Sequence, residues 1–207
     1  MDTIVYIDGF NLYYGALKGT PYKWLDIPRM CRTLLPTHNI LKVKYYTARV
    51  SARPEDPLQP VRQQTLLRAL LTLPEVEIIY GQFLQSNRWA RLVTPLPDGT
   101  TTVLVVKTEE KGSDVNLATH LVHDGHLGRY QAAVIVSNDT DLIEPVRIAR
   151  YELGKVVGML NPHKRPSREL MKRVHFVKNI RPTVLANCQF ADVLQDAEGE
   201  FRKPESW

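Results

Sequence analysis

Ala133-Val-Ile-Val-Ser-Asn-Asp-Thr-Asp-Leu142 passes directly from an apolar run to two acids, and that passage decides the fold. Four apolar residues, three of them β-branched, read as a strand covered on both faces, as in a parallel sheet. Working outward, Thr3-Ile-Val-Tyr-Ile7 makes the same run and stops at Asp8. A third acid, Asp114 in Lys111-Gly-Ser-Asp-Val115, opens an amphipathic helix. Helices between parallel strands run antiparallel to them, so strand C-termini and helix N-termini share one sheet edge. The carboxylates therefore converge in this reading. Converging carboxylates repel one another unless some protonate or a cation binds, and hard cations such as Mg²⁺ favour oxygen ligands.

The rest of the chain alternates in the same way. Strands are expected at Thr3–Ile7, Ile40–Thr47, Val76–Tyr80, Ala132–Val136 and Lys155–Leu160, all rich in β-branched or aromatic residues. Helices are expected at Asn11–Lys18, Pro28–Leu35, Pro60–Leu71, Val115–Val122, Leu142–Glu152 and Ser167–Arg173, the third marked by an apolar stripe of leucines. Gly125 is read as the end of the fourth helix, and Gly154 as a left-handed cap on the fifth. Arg53–Pro60 holds three prolines and reads as an exposed loop. Residues 82–106 read as a hairpin insertion and 181–207 as a tail packed through Phe190, Phe201 and Trp207. The expectation is one α/β domain over residues 1–207, three-layered, with a mostly parallel sheet of order 3-2-1-4-5. In that order the first and fourth strands are neighbours, and the crevice between them is bounded by Asp8 and Asp139.

No apolar run reaches membrane-spanning length, and Met1-Asp2 leads straight into a strand, so a cytoplasmic protein is expected. Cys31 and Cys188 lack metal-type spacing and read as reduced thiols. With 27 Lys and Arg against 22 Asp and Glu the chain is mildly basic, and its remainder is more so once the acid cluster is set aside. A basic body around an acidic cleft suits a polyanion held by its backbone.

Each acid also has a plain structural use, because Asp is among the best helix N-caps. Capping, however, needs one acid per helix, whereas Asp139 and Asp141 form a D-x-D pair, and Asp8 is followed closely by the amide of Asn11. His120, His123 and His126 do not match a common zinc spacing.

The stretches Tyr6-Ile-Asp-Gly-Phe-Asn-Leu12, Tyr80-Gly-Gln-Phe-Leu84, Lys107-Thr-Glu-Glu-Lys-Gly-Ser-Asp-Val-Asn-Leu-Ala118 and Val136-Ser-Asn-Asp-Thr-Asp-Leu142, together with Leu153–Gly158 and the Gln189-Phe190 tail, carry a resemblance over nearly the whole chain. It resembles the NYN family of PIN-like nucleases, in the LabA-like bacterial branch. The resemblance implies a PIN-like α/β/α domain whose acids hold Mg²⁺ or Mn²⁺, one or two ions, and hydrolyse RNA to 5′-phosphate and 3′-hydroxyl products. By position, Asp8, Asp114, Asp139 and Asp141 match the acidic cluster and Asn11 its polar companion. Relatives often carry another acid where this chain has His120.

Metal-activated water would need no side-chain nucleophile. Candidates for holding phosphates are Lys111, Arg49, Arg53, Lys164, Arg165, Arg168 and Lys172, and Tyr13, Tyr14 and Trp24 are candidates for stacking on bases. Besides a metal-dependent endoribonuclease, two rivals stand: a non-cleaving RNA-binding or regulatory module with an impaired site, and a phosphatase or phosphoacceptor. The last is disfavoured because the first strand offers Asp8-Gly-Phe-Asn11 in place of D-x-D.

Overall fold

The computed structural model describes residues 1–207. The strands are β1 (Asp2–Asp8), β2 (Asn39–Thr47), β3 (Val76–Tyr80), β4 (Gln82–Arg91), β5 (Thr102–Lys111), β6 (Ala132–Val136), β7 (Val156–Asn161), β8 (Phe176–Asn179), β9 (Val193–Asp196) and β10 (Gly199–Arg202). The helices are α1 (Gly9–Leu12), α2 (Ile27–Leu34), α3 (Gln59–Leu71), α4 (Ser113–His126), α5 (Ile143–Arg147), α6 (Arg168–Arg173) and α7 (Pro182–Asn187). Two of them run on as wider π-helical turns, α1 into Tyr13–Leu17 and α5 into Ile148–Glu152.

Six strands form one sheet in the order β3-β2-β1-β6-β7-β8, every neighbouring pair parallel. This is the expected 3-2-1-4-5 succession with a sixth strand, β8, added at the edge beside β7. Its four residues are too few for alternation to announce a strand. β1 and β6 lie side by side, as a crevice between them requires, with Ile7 opposite Val136.

All five residues of β6 are buried because each sheet face has its own apolar core. On one face Val5, Ile7, Val43, Val134 and Val136 pack with Leu12, Met30, Leu67, Leu70 and Leu185. On the other, Ile4, Tyr6, Tyr46, Ala133 and Ile135 pack with Leu117, Leu121, Val146 and Ala149. Beneath this second core lies a buried polar knot. Asp124 accepts from Tyr6 Oη at 2.8 Å, Lys44 Nζ at 2.7 Å and Arg129 at 2.8 Å.

Several boundaries differ from the sequence reading. Gly125 does not end α4, which continues to His126. A Cβ on Gly125 would lie 2.5 Å from Tyr130 Oη, so the glycine makes room for a crossing phenol whose hydroxyl donates to the Leu121 carbonyl at 2.8 Å. The 181–207 segment contains regular structure: α7, and an antiparallel hairpin of β9 and β10. That hairpin is held by Arg68, which donates twice to Asp196 at 2.6 Å, and by Trp24, whose buried indole meets Phe190, Phe201 and Trp207. Trp24 is thus a core residue. β4 and β5 form an antiparallel ribbon separate from the main sheet, with Gln82 opposite Lys111 at its base and Arg91 opposite Thr102 at its far end. No helix is long and apolar enough to cross a membrane.

Candidate functional site

Along the C-terminal edge of the sheet runs a cleft of ≈ 720 Å³ whose lining includes Asp8, Asn11, Asp114 and Asp139. β1 and β6 deliver Asp8 and Asp139 from adjacent strand ends, and the first turn of α4 delivers Asp114. Glu110, from the base of the β4–β5 ribbon, joins them in the lining.

Three of the lining acids also accept from backbone N–H groups where helices start. Asp8 Oδ1 accepts from the Asn11 backbone at 2.9 Å, and Asp8 Oδ2 from Ser137 Oγ at 3.1 Å. Asp139 Oδ1 accepts from the Asp141 backbone at 2.9 Å. Glu110 likewise accepts from the backbone and hydroxyl of Ser113 at the start of α4. Asp114 is different. Its carboxylate has no hydrogen-bond partner in the protein, and its pKa is pushed up to about 6, first by burial and then by Asp8, Asp139, Glu110 and Asp141. Burial also raises Asp8, with Asp139 adding to the effect while hydrogen bonds from Asn11 and Ser137 oppose it. Asp141 is exposed and outside the cleft lining, contributing through its charge.

No three His, Cys, Asp or Glu side chains stand at the spacing of a closed metal-ligand set, the histidines of α4 included. The acids surround the cleft from different elements without closing on a point. Their chemistry nonetheless fits a hard cation: the donors are carboxylate oxygens, and one of them is charged only at a cost that a cation would relieve.

The other candidates are distributed unevenly. Arg53 lines the cleft, and with it Lys23 from the loop before α2 and Arg62 from α3, which sequence reasoning missed. Arg62 is ion-paired with Asp56. Arg49 lies over the Tyr80 ring beside a neighbouring pocket, and Lys111 is exposed and paired with Glu109 at 3.5 Å. Lys164, Arg165 and Arg168 are exposed outside the cleft lining, and Lys172 pairs with Glu169. Tyr13, Tyr14 and Trp207 do line it. His120 does not. Its Nδ1 shares a hydrogen bond of 3.0 Å with Tyr46 Oη, and burial holds its pKa below the usual value.

His163 is the main residue the sequence reading overlooked. Its ring enters the cleft and meets Asn11 at 2.8 Å. The signal was available, because Asn161-Pro162-His163 ends β7 on the same edge as Asp8 and Asp139. Asn138 binds this corner together. Its backbone N–H donates to Asn11, its amide donates to the Arg165 carbonyl at 3.1 Å, and its oxygen accepts from the Ser167 backbone.

A parallel sheet with helices on both faces and an acid-lined cleft where the strand order reverses defines an open α/β domain with its site at the switch point. The NYN domain model matches residues 2–180, and the chain belongs to the NYN domain family. It is 34% identical over 235 residues to 6-hydroxy-3-succinoylpyridine 3-monooxygenase HspA of Pseudomonas putida, the match covering 99% of this chain and 75% of that protein. Among solved structures it is similar to a protein of unknown function from Vibrio parahaemolyticus. There the TM-score is 0.57 at 15% identity, over 87% of this chain and 93% of the other, a likeness of fold.

Proposed function

We propose that the protein is a metal-dependent endoribonuclease. The observation that carries this reading is the delivery of Asp8 and Asp139 by adjacent strand ends into one cleft with Asp114 and Glu110, beside a family membership that implies nuclease-like chemistry.

Asp8, Asp114 and Asp139 would hold Mg²⁺ or Mn²⁺, with Asp141 adding negative potential from the rim. Such an ion supplies a water activated near neutral pH and offsets charge on the phosphoryl and leaving oxygens. The protein's own groups do the rest. Lys23, Arg53 and Arg62 neutralise phosphates on the cleft wall, while Tyr13, Tyr14 and Trp207 offer ring faces to bases. Ser137 keeps Asp8 and the Asp139 backbone in register, since its hydroxyl donates to one and accepts from the other.

Asp139→Asn preserves shape and removes one charge, so RNA cleavage should fall by at least about a hundredfold, the scale of a few kcal/mol of lost transition-state stabilisation. Purified protein is incubated with structured and unstructured RNAs with and without Mn²⁺, and the ends are mapped. Undiminished cutting by the variant and in EDTA would end this reading. RNA binding without cleavage in every metal would favour a regulatory module.

A second reading is favoured by one comparison, the similarity to a named monooxygenase over 99% of the chain. The aromatic cleft wall would accept a flat pyridine ring, and Arg53 or Lys23 a carboxylate. Against it, Asp8 stands where a dinucleotide-binding fold places a glycine-rich turn for the pyrophosphate. Oxygen uptake with 6-hydroxy-3-succinoylpyridine and a reduced nicotinamide or flavin would establish it.

A further inference from the structure

The hydrogen bonds around Asn11 fix which way its amide faces. Asn11 Oδ1 lies 3.0 Å from the backbone nitrogen of Asn138, a group that can only donate, so the atom it meets is the amide oxygen. His163 Nε2 lies 2.8 Å from that same oxygen. The ring must therefore donate from Nε2. Two donors occupy the two lone pairs of Oδ1; of the two N–H bonds of Asn11 Nδ2, one is directed to the Asp8 carboxylate, and the other is what remains to face a ligand.

The ring is seated by the fold. A Cβ on Gly15, in the wide turn after α1, would lie 2.8 Å from His163 Cδ2 and 2.9 Å from Nε2, so only glycine leaves this room. The His163 backbone is tied to buried Asn161, donating to its Oδ1 at 3.2 Å and accepting from its Nδ2 at 2.6 Å. π-helical turns of this kind recur at functional sites because they re-aim side chains.

We propose that His163 is a positioning residue that holds Asn11 as a hydrogen-bond donor toward an anionic oxygen of the bound substrate, and not as an oxygen ligand of a metal ion. Under the nuclease reading, on which the identity of the substrate rests, that oxygen is a non-bridging phosphate oxygen. A neutral N–H donor among acids lets the cleft accept a phosphate that carboxylates alone would repel.

The test combines spectroscopy with kinetics. In ring-¹⁵N-histidine protein without metal or substrate at pH 8, His163 is expected to carry its proton on Nε2; an Nδ1–H ring overturns the assignment. The Asn11 amide resonance should move on titration with uridine 5′-monophosphate, and a stationary resonance overturns it too. Asn11→Ala should lower kcat about a hundredfold, as for loss of one preorganised donor. Asn11→Asp, which keeps oxygens but loses N–H groups, should fall at least as far; wild-type kcat in this variant would make Asn11 an oxygen ligand. His163→Leu should lower kcat about tenfold with KM little changed, a fraction of the loss on deleting the donor itself. His163→Gln should recover most of that activity by donating from its amide. Equal loss in the Leu and Gln variants would refute the positioning role. If the wild type cuts no RNA, the nuclease reading falls, and the tautomer and the phosphate titration still decide the orientation of Asn11.

Discussion

Asp114 holds its proton more tightly than an unfolded chain would, with a pKa of about 6 in the fold against roughly 3.9 when exposed. As pH rises the unfolded chain therefore ionises first. The stability contributed by protonated Asp114 is complete below about pH 4 and lost as pH passes about 6. Asp114→Asn should consequently stabilise the metal-free protein at pH 8 by about 1 kcal/mol, a figure reduced for the side chain's partial exposure, and do nothing at pH 4. Urea denaturation in EDTA at the two pH values checks this, and equal effects at both would detach the stability change from ionisation. Among single residues, Asp8 and Asp139 were legible in the sequence because an apolar run ending in acid fixes both a strand end and a sheet edge. For His163 the edge was legible, since it follows the end of β7, but its contact was not, because nothing in the order of residues says that this ring will reach back to Asn11.

Elements differ in how much of their stability they share. β4 and β5 pack chiefly on each other, and beyond Phe83, which meets Phe10 edge-on at 5.6 Å, the ribbon leaves Trp89 72% exposed and Leu104 55% exposed. A two-stranded ribbon alone is marginally stable in water. Amides between residues 86 and 106 should therefore exchange orders of magnitude faster than those of β1 and β6, which open only with global unfolding. Replacing 88–105 by Asn-Gly should leave the melting temperature within about 3 °C, the scale of 1 kcal/mol for a chain of this size. Co-protection of the ribbon with β1, or a collapse of melting temperature on shortening, would show that the ribbon supports the sheet. The hairpin could be read from its β-prone runs around Pro-Leu-Pro-Asp-Gly99, as the central strands could from theirs. β8 and the π-helical turns could not. Four residues carry too little periodicity, and no residue pattern marks either wide turn, although Gly15 in the first leaves the room that the His163 ring fills.

At the scale of the whole molecule the basic residues divide into those lining the cleft and those scattered outside it. Lys23→Ala/Arg53→Ala should weaken binding of single-stranded RNA to the Asp139→Asn protein and flatten the dependence of log K on log salt by about 0.7 for each phosphate no longer neutralised. Lys164→Ala/Arg165→Ala, outside the cleft lining, should change the slope less. The reverse ranking would carry the RNA path over the loop between β7 and α6. Net charge was legible in composition. Its division could not be, since Lys23, Arg53 and Arg62 are brought to one wall by three segments whose relation only the folded sheet defines.

Trp207 belongs at once to the cleft lining and to the aromatic cluster around Trp24, its ring centroid 6.4 Å from that buried indole. The protein therefore carries its own optical probe. A base stacked in the cleft would quench Trp207, and excitation exchanged between the paired indoles would register the event in the emission of a residue no ligand touches. Exposed Trp89, far out on the ribbon, would supply a separable background open to iodide. Occupancy of the cleft can thus be followed in the unlabelled molecule, by light that begins in its interior.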